Sequence, residues 1–294
     1  VRIRAVLSFV VLSIACLLAP LALVAFWASG LVSDTDRYVE TVAPLADDPD
    51  IQRAVADAVT RELALALERR GVGKQTIERV RGVAGAAVER QLATDGFSSV
   101  WRQTNRDAHK ELVGLFGGKA SARDEIVLDT GPLVAQAKDR LADRGFALAE
   151  VIPPVDASFT LVDLESLPDV KSAYDELRLA GTWLPVVASA LFLIGVLVAR
   201  DRLRALMRGA LGVAVTMVAL FVALLVLRGF YLGSTPGEVL PDKAAASVYD
   251  TLVAFLRTGL LIGAGVALLV ALAALVAGRL TRPAPDQGRL SSAR

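Results

Sequence analysis

Four stretches of this chain carry no charged side chain: residues 5–29, 179–199, 209–227 and 258–278. Each is long enough to cross a bilayer as a helix, which takes roughly 20 apolar residues. Between the first and second stretches the pattern changes to apolar residues recurring every three to four positions, the signature of amphipathic helices. Asp34, Thr35 and Asp36 offer N-caps ahead of Tyr38, Val39 and Val42, and Pro44 closes that short piece. Asp48-Pro49-Asp50 is a stronger start, with a capping Asp, Pro at the first helical position and an acid at the positive helix end. Ile51, Val55, Val59, Leu63 and Leu67 follow at helical spacing until Gly71. The spacing predicts a second helix from Lys74 to Leu92 and a third from Asp95-Gly96 to Gly117-Gly118. Three such helices with short breaks predict a bundle that buries its apolar stripes.

Beyond residue 118 the texture changes. Residues 125–129 and 158–162 are rich in β-formers and predict two short strands, with a helix over 132–144 between them. Strand, helix and strand in succession predict a small βαβ unit. A final helix over 166–179 runs toward the second apolar stretch, interrupted only by Gly181 and Pro185, and would couple the two parts mechanically. Residues 228–256 hold a turn at 233–237 and an amphipathic stretch, and residues 279–294 read as a disordered tail. The expected fold is mainly α: a four-helix transmembrane bundle plus a helical extracytoplasmic domain, residues 30–178, with a small two-stranded β element, an α+β arrangement.

Charge orients these spans. The net charge of +1 hides a partition. Residues 1–4, 200–208 and 279–294 together hold 10 Arg against Asp201 and Asp286, whereas residues 30–181 hold 19 Lys and Arg against 26 Asp and Glu. Basic residues beside spans mark the cytoplasmic side. Both termini and the 200–208 loop are therefore expected inside, with 30–178 and 228–256 outside. Length favours a retained anchor at 5–29 over a cleaved signal, whose apolar core spans about 7–15 residues. Cys16 is the one cysteine. It reads as a small lipid-facing or packing residue rather than a lipoprotein acceptor, since the apolar run continues well past it.

Candidate chemistry is sparse. Trp101, Asn105 and His109 share one face of the third helix, and His109 is the only histidine. They form a polar site on a groove, with His109 as acid, base or pH sensor, or a network that satisfies Asn105 and His109 internally. With one histidine and no cysteine outside, no zinc site is expected. The acidic clusters lack EF-hand spacing, and the glycine pairs lack the Lys-Ser/Thr of a phosphate loop. No cofactor, metal, catalytic group or nucleic-acid partner is expected. Tyr249 and Arg257 are candidate contacts at the outer lipid interface. Gly259 and Gly263 form a small-xxx-small pair that permits a homo-oligomer.

Three segments carry a resemblance. Asp34-Thr35-Asp36-Arg37-Tyr38-Val39 with Val42-Ala43-Pro44-Leu45-Ala46 and Asp48-Pro49 resembles the start of a group of actinobacterial integral membrane proteins. Residues 101–109 are similar to that group's middle, and residues 248–257 to its last outer segment. The resemblance implies an architecture and an envelope location, and no catalytic residues. The expected function is a non-enzymatic envelope protein whose outer domain binds a partner protein, lipid or wall component. Two other classes stay open. One is an accessory or permease-like subunit of a transport system, against which the uncharged spans argue. The other is a membrane-anchored hydrolase.

Overall fold

The computed structural model describes residues 2–117, 126–129, 139, 143, 158–162, 167–234 and 241–280. In chain order these form α1 (Arg2–Ser33), α2 (Thr35–Val42), a 3-10 turn (Ala43–Asp47), α3 (Pro49–Arg69), α4 (Lys74–Leu92) and α5 (Asp95–Phe116). Strands β1 (Ile126–Asp129) and β2 (Ser158–Val162) follow, then α6 (Leu167–Val198), α7 (Arg202–Ser234) and α8 (Asp242–Leu280). The chain divides into two compact units. One gathers Val1–Phe26, Gly181–Leu224 and Leu256–Arg294; the other gathers Trp27–Ala180 and Leu225–Phe255.

The first unit is built from α1, α6, α7 and α8, each long and apolar enough to cross a membrane. The chain is a multi-pass membrane protein. Lipid cannot drive one apolar helix onto another, so close packing of small residues and interhelical hydrogen bonds must hold the bundle. Both are present. Ala15, Ala22, Ala188, Ala210 and Ala264 are buried, while Leu17, Leu193, Leu211 and Leu269 are exposed. At the α1–α6 crossing Ser8 Oγ donates to the Gly195 carbonyl at 2.7 Å. A Cβ on Gly195 would stand 2.8 Å from Leu12 Cγ, so only glycine admits this approach. At the α1–α7 crossing Cys16 Sγ lies 3.3 Å from the Gly209 carbonyl, and Thr216 Oγ1 donates to the Cys16 carbonyl at 2.8 Å. Cys16 is thus a buried packing residue.

The second unit is organised by its helix caps. Asp34 accepts from the backbone N–H groups of Asp36 and Arg37 and opens α2. Asp48 does the same for Asp50 and Ile51, with Pro49 following, and opens α3. Gly71, at φ +77°, closes α3 with a Schellman arrangement: its N–H bonds to the Glu68 carbonyl and that of Val72 to the Leu67 carbonyl. The chain then reverses, and α4 packs back along α3. Ala46, Ala56, Val88, Leu92 and Phe97 form one buried cluster. Val42, Leu45, Ile51 and Ala244 form a second, joined by Tyr38, Trp101, Val248 and Leu252.

The α+β class is corrected: the architecture is helical, with no β layer and no βαβ unit among the described residues. A βαβ crossover demands parallel strands. β1 and β2 pair antiparallel instead, Ile126 opposite Val162 and Asp129 opposite Ser158, with a register shift after Ile126. Two strands of 4 and 5 residues make a local ribbon rather than a sheet that defines the fold. Most of the helix expected over 132–144, the turn from 235 onward and the tail from 281 lie outside the described residues.

Candidate functional site

Residues four apart on a helix stack on one face, and α5 presents Trp101, Asn105 and His109 in that way. The opposing surface is the end of α1 and the whole of α2: Leu31, Thr35, Tyr38 and Val42. The two stripes are joined rung by rung. Trp101 Nε1 donates to the Val42 carbonyl at 3.0 Å, at the C-terminal end of α2. The Tyr38 hydroxyl donates to Asn105 Oδ1 at 3.3 Å, and Asn105 Nδ2 donates back to the Trp101 carbonyl at 2.9 Å. His109 Nε2 donates to the Leu31 carbonyl at 2.9 Å, and its Nδ1 lies 3.1 Å from Thr35 Oγ1. The Tyr38 ring stacks on the imidazole with centroids 4.3 Å apart and planes 18° from parallel.

Helix geometry explains the His109–Leu31 bond. The last carbonyls of a helix have no partner within it. Asp34 turns extended to cap α2 (φ −115°, ψ 106°), and the chain breaks at that point. His109, 78 positions away, supplies a donor for the Leu31 carbonyl. A carbonyl can only accept, so Nε2 carries the hydrogen. Neutral His109 then accepts the Thr35 hydroxyl proton at Nδ1; the cation donates to the same oxygen. Either protonation state keeps both bonds. At 6% exposure, with both nitrogens engaged and one ring face covered, the imidazole presents no free nitrogen to an outside group.

Charges sit at the edge of this network. Arg106 donates to Asp36 across the same α5–α2 boundary. The hydrogen bond and then the charge of Arg106 hold the Asp36 carboxyl below its ordinary value. Burial pushes the Tyr38 phenol above its ordinary value. On the α8 side, the Arg37 guanidinium lies 5.3 Å from the centre of the Phe255 ring. Trp27 Nε1 donates to the Leu252 carbonyl at 3.0 Å. Tyr249 stacks with Tyr231 at 5.6 Å, and Arg228 grips Asp250 in a two-pronged pair with contacts of 2.7–3.2 Å. Arg257 is half-buried on α8 and belongs to the membrane unit.

The structure therefore unites Trp101, Asn105 and His109 and adds Leu31, Thr35 and Tyr38. Sequence reasoning had used Thr35 only as a capping residue and Tyr38 only as an apolar position. A signal was present: positions 35, 38 and 42 form a helical stripe complementary to 101, 105 and 109. Among the described residues no group of three or more His, Cys, Asp and Glu could hold a metal ion. No family model, curated protein or solved structure matches this chain.

Proposed function

We propose that this chain is a non-enzymatic binding module of the cell envelope. In this reading both termini are cytoplasmic, residues 30–178 lie outside, and the α3–α4 hairpin is the element offered to a partner protein, lipid or wall component. The observation that carries the reading is the surface of that hairpin. From Arg61 to Ala87 only Ile77 is buried, while Leu65 is 43% and Val83 is 75% exposed. Its base is fixed by the Ala56, Val88 and Leu92 cluster. Gln52 adds bonds from its side-chain amide to the Ala46 and Leu92 carbonyls. A packed base, apolar side chains exposed along the hairpin and the exposed Arg69, Arg70 and Lys74 at its turn suit presentation rather than chemistry. The commitment of both His109 nitrogens supports the same reading, because a general acid or base needs a nitrogen within reach of the group it serves. The distribution of arginines beside the spans supports the orientation, and the resemblance to actinobacterial membrane proteins supports the envelope location.

The test is photo-crosslinking in intact cells from a probe amino acid placed at Val83 or Leu65. The expected result is one discrete adduct from both positions, absent for a probe at Lys171 and lost when Val83→Asp accompanies the Leu65 probe. Adducts equally strong from Lys171, or none from either hairpin position, would refute the proposal.

A further inference from the structure

A trough of about 740 Å³ runs along the membrane unit between α1 and the start of α7. Its lining has two chemically distinct parts. The floor is apolar, with Phe9, Leu12, Leu17, Leu211 and Val215. The mouth carries Arg200, Arg204 and Arg208. Arg204 and Arg208 are one helical turn apart and share a face of α7. The only acid in the lining is Asp201, and it is held by Arg204 Nε at 2.8 Å. Asp201 also accepts from the Arg204 backbone N–H, so it is fixed at the helix start. The mouth thus keeps a net charge of two, with Arg200 and Arg208 exposed.

Length decides what fits. The lining on α7 reaches from Arg204 to Thr216, about 18 Å at 1.5 Å per residue. One leaflet of hydrocarbon is about 15 Å deep, half of the roughly 30 Å core. A trough one leaflet deep, apolar along its floor and cationic at one end, matches an acyl chain capped by an anionic head. A free phosphate would satisfy the arginines and leave the floor unfilled. A zwitterionic lipid would fill the floor and bring an ammonium group against the arginines.

We propose that this trough is a binding site for an anionic glycerophospholipid, its phosphate at Arg200 and Arg208 and one acyl chain along Phe9, Leu12 and Val215. The lining comes from residues 5–17 and 199–216, none of them in the α3–α4 hairpin. The proposed orientation decides which leaflet supplies the lipid, and places it in the cytoplasmic one. Each arginine at the mouth that is unpaired among the described residues, within reach of a head bound there, favours an anionic head about fivefold, so Arg200 and Arg208 together favour it by roughly thirtyfold.

The test uses the full chain purified in phosphatidylcholine nanodiscs, with bound lipid counted by native mass spectrometry as dioleoyl phosphatidylglycerol is titrated in. The expected result is a roughly thirtyfold preference for the phosphatidylglycerol probe. That preference falls to about fivefold in Arg200→Gln or Arg208→Gln and disappears in the double variant. Arg279→Gln, a basic residue beside a span and outside the trough, leaves it unchanged. Arg208→Lys keeps most of the preference and serves where the glutamine variant misfolds. Glycerol phosphate at millimolar concentration should not displace the lipid. Equal binding of the two lipids, an equal loss in Arg279→Gln, or displacement by glycerol phosphate would each overturn the site. None of these results bears on the hairpin crosslink, so the two proposals fail separately.

Discussion

Replacing His109 with Phe keeps a ring beside Tyr38 and removes both ring hydrogen bonds. The bonds at stake are the 2.9 Å contact to the Leu31 carbonyl and the 3.1 Å contact to Thr35. A hydrogen bond contributes a net ~1 kcal/mol, and a desolvated carbonyl left without a donor costs a further ~1 kcal/mol. The expected loss is therefore about 2–3 kcal/mol, confined to the joint between α5 and residues 31–42. As a local opening equilibrium that is a rise of roughly 30- to 150-fold. His109→Ala also loses the stacked ring, worth ~1 kcal/mol more. The assay is amide hydrogen exchange on the full chain in nanodiscs, read by mass spectrometry. Peptides over 27–42 should exchange faster by that factor, more in the Ala variant than in Phe, while peptides over 74–92 stay at wild-type rates. Unchanged exchange over 27–42 would refute the claim that His109 closes the end of α1. An equal acceleration over 74–92 would refute its local character.

Three further outcomes follow from the same geometry. Tyr38 has its phenol raised above the ordinary value near 10.0, so its contribution is intact below that pH and is lost as pH rises through the higher folded value. Tyr38→Phe should abolish this alkaline component of protection over 31–42, at a cost of ~1 kcal/mol for the lost bond to Asn105; persistence of the component in the variant would count against it. Asp36 has its carboxyl held below the ordinary value near 3.8, so the pairing with Arg106 is present above that pH and is lost as pH falls through the lower folded value. Asp36→Asn should make exchange over 35–42 independent of acid in that range, and an unaltered acid profile would contradict the pairing. Gly71→Ala puts a side chain at φ +77°, which costs about 1–2 kcal/mol although open space surrounds the position. Limited proteolysis should cut the 70–73 turn about five- to thirtyfold faster, and an unchanged rate would show that the turn accepts alanine.

What could be read in advance followed the range of the physics. The boundaries of α3, α4 and α5 were legible because caps are local. Asp48 with Pro49, Gly71 and Gly117 announce helix ends by their own chemistry. Spans were legible from length and the lack of charge. Partners were less so. That Trp101, Asn105 and His109 share a face follows from period alone. That they meet Val42, Tyr38, Thr35 and Leu31 requires knowing that α5 folds back on α2. Arg228 and Asp250 are 22 positions apart and join the ends of two different helices, which no local pattern announces. Strand propensity at 126–129 and 158–162 was visible, but propensity does not encode strand direction. The parallel unit inferred from strand–helix–strand order gave way to an antiparallel ribbon.

The bond from His109 to Leu31 also sets a clock on biosynthesis. Ribosomes add about 5–20 residues per second. The 78 positions separating donor from acceptor therefore take about 4–16 s to synthesise. Throughout that interval the first span already exists, and its last turn waits for a donor encoded far downstream. A nascent chain that ends before residue 109 lacks this donor, so the Leu31 carbonyl near the end of α1 is left without the His109 bond.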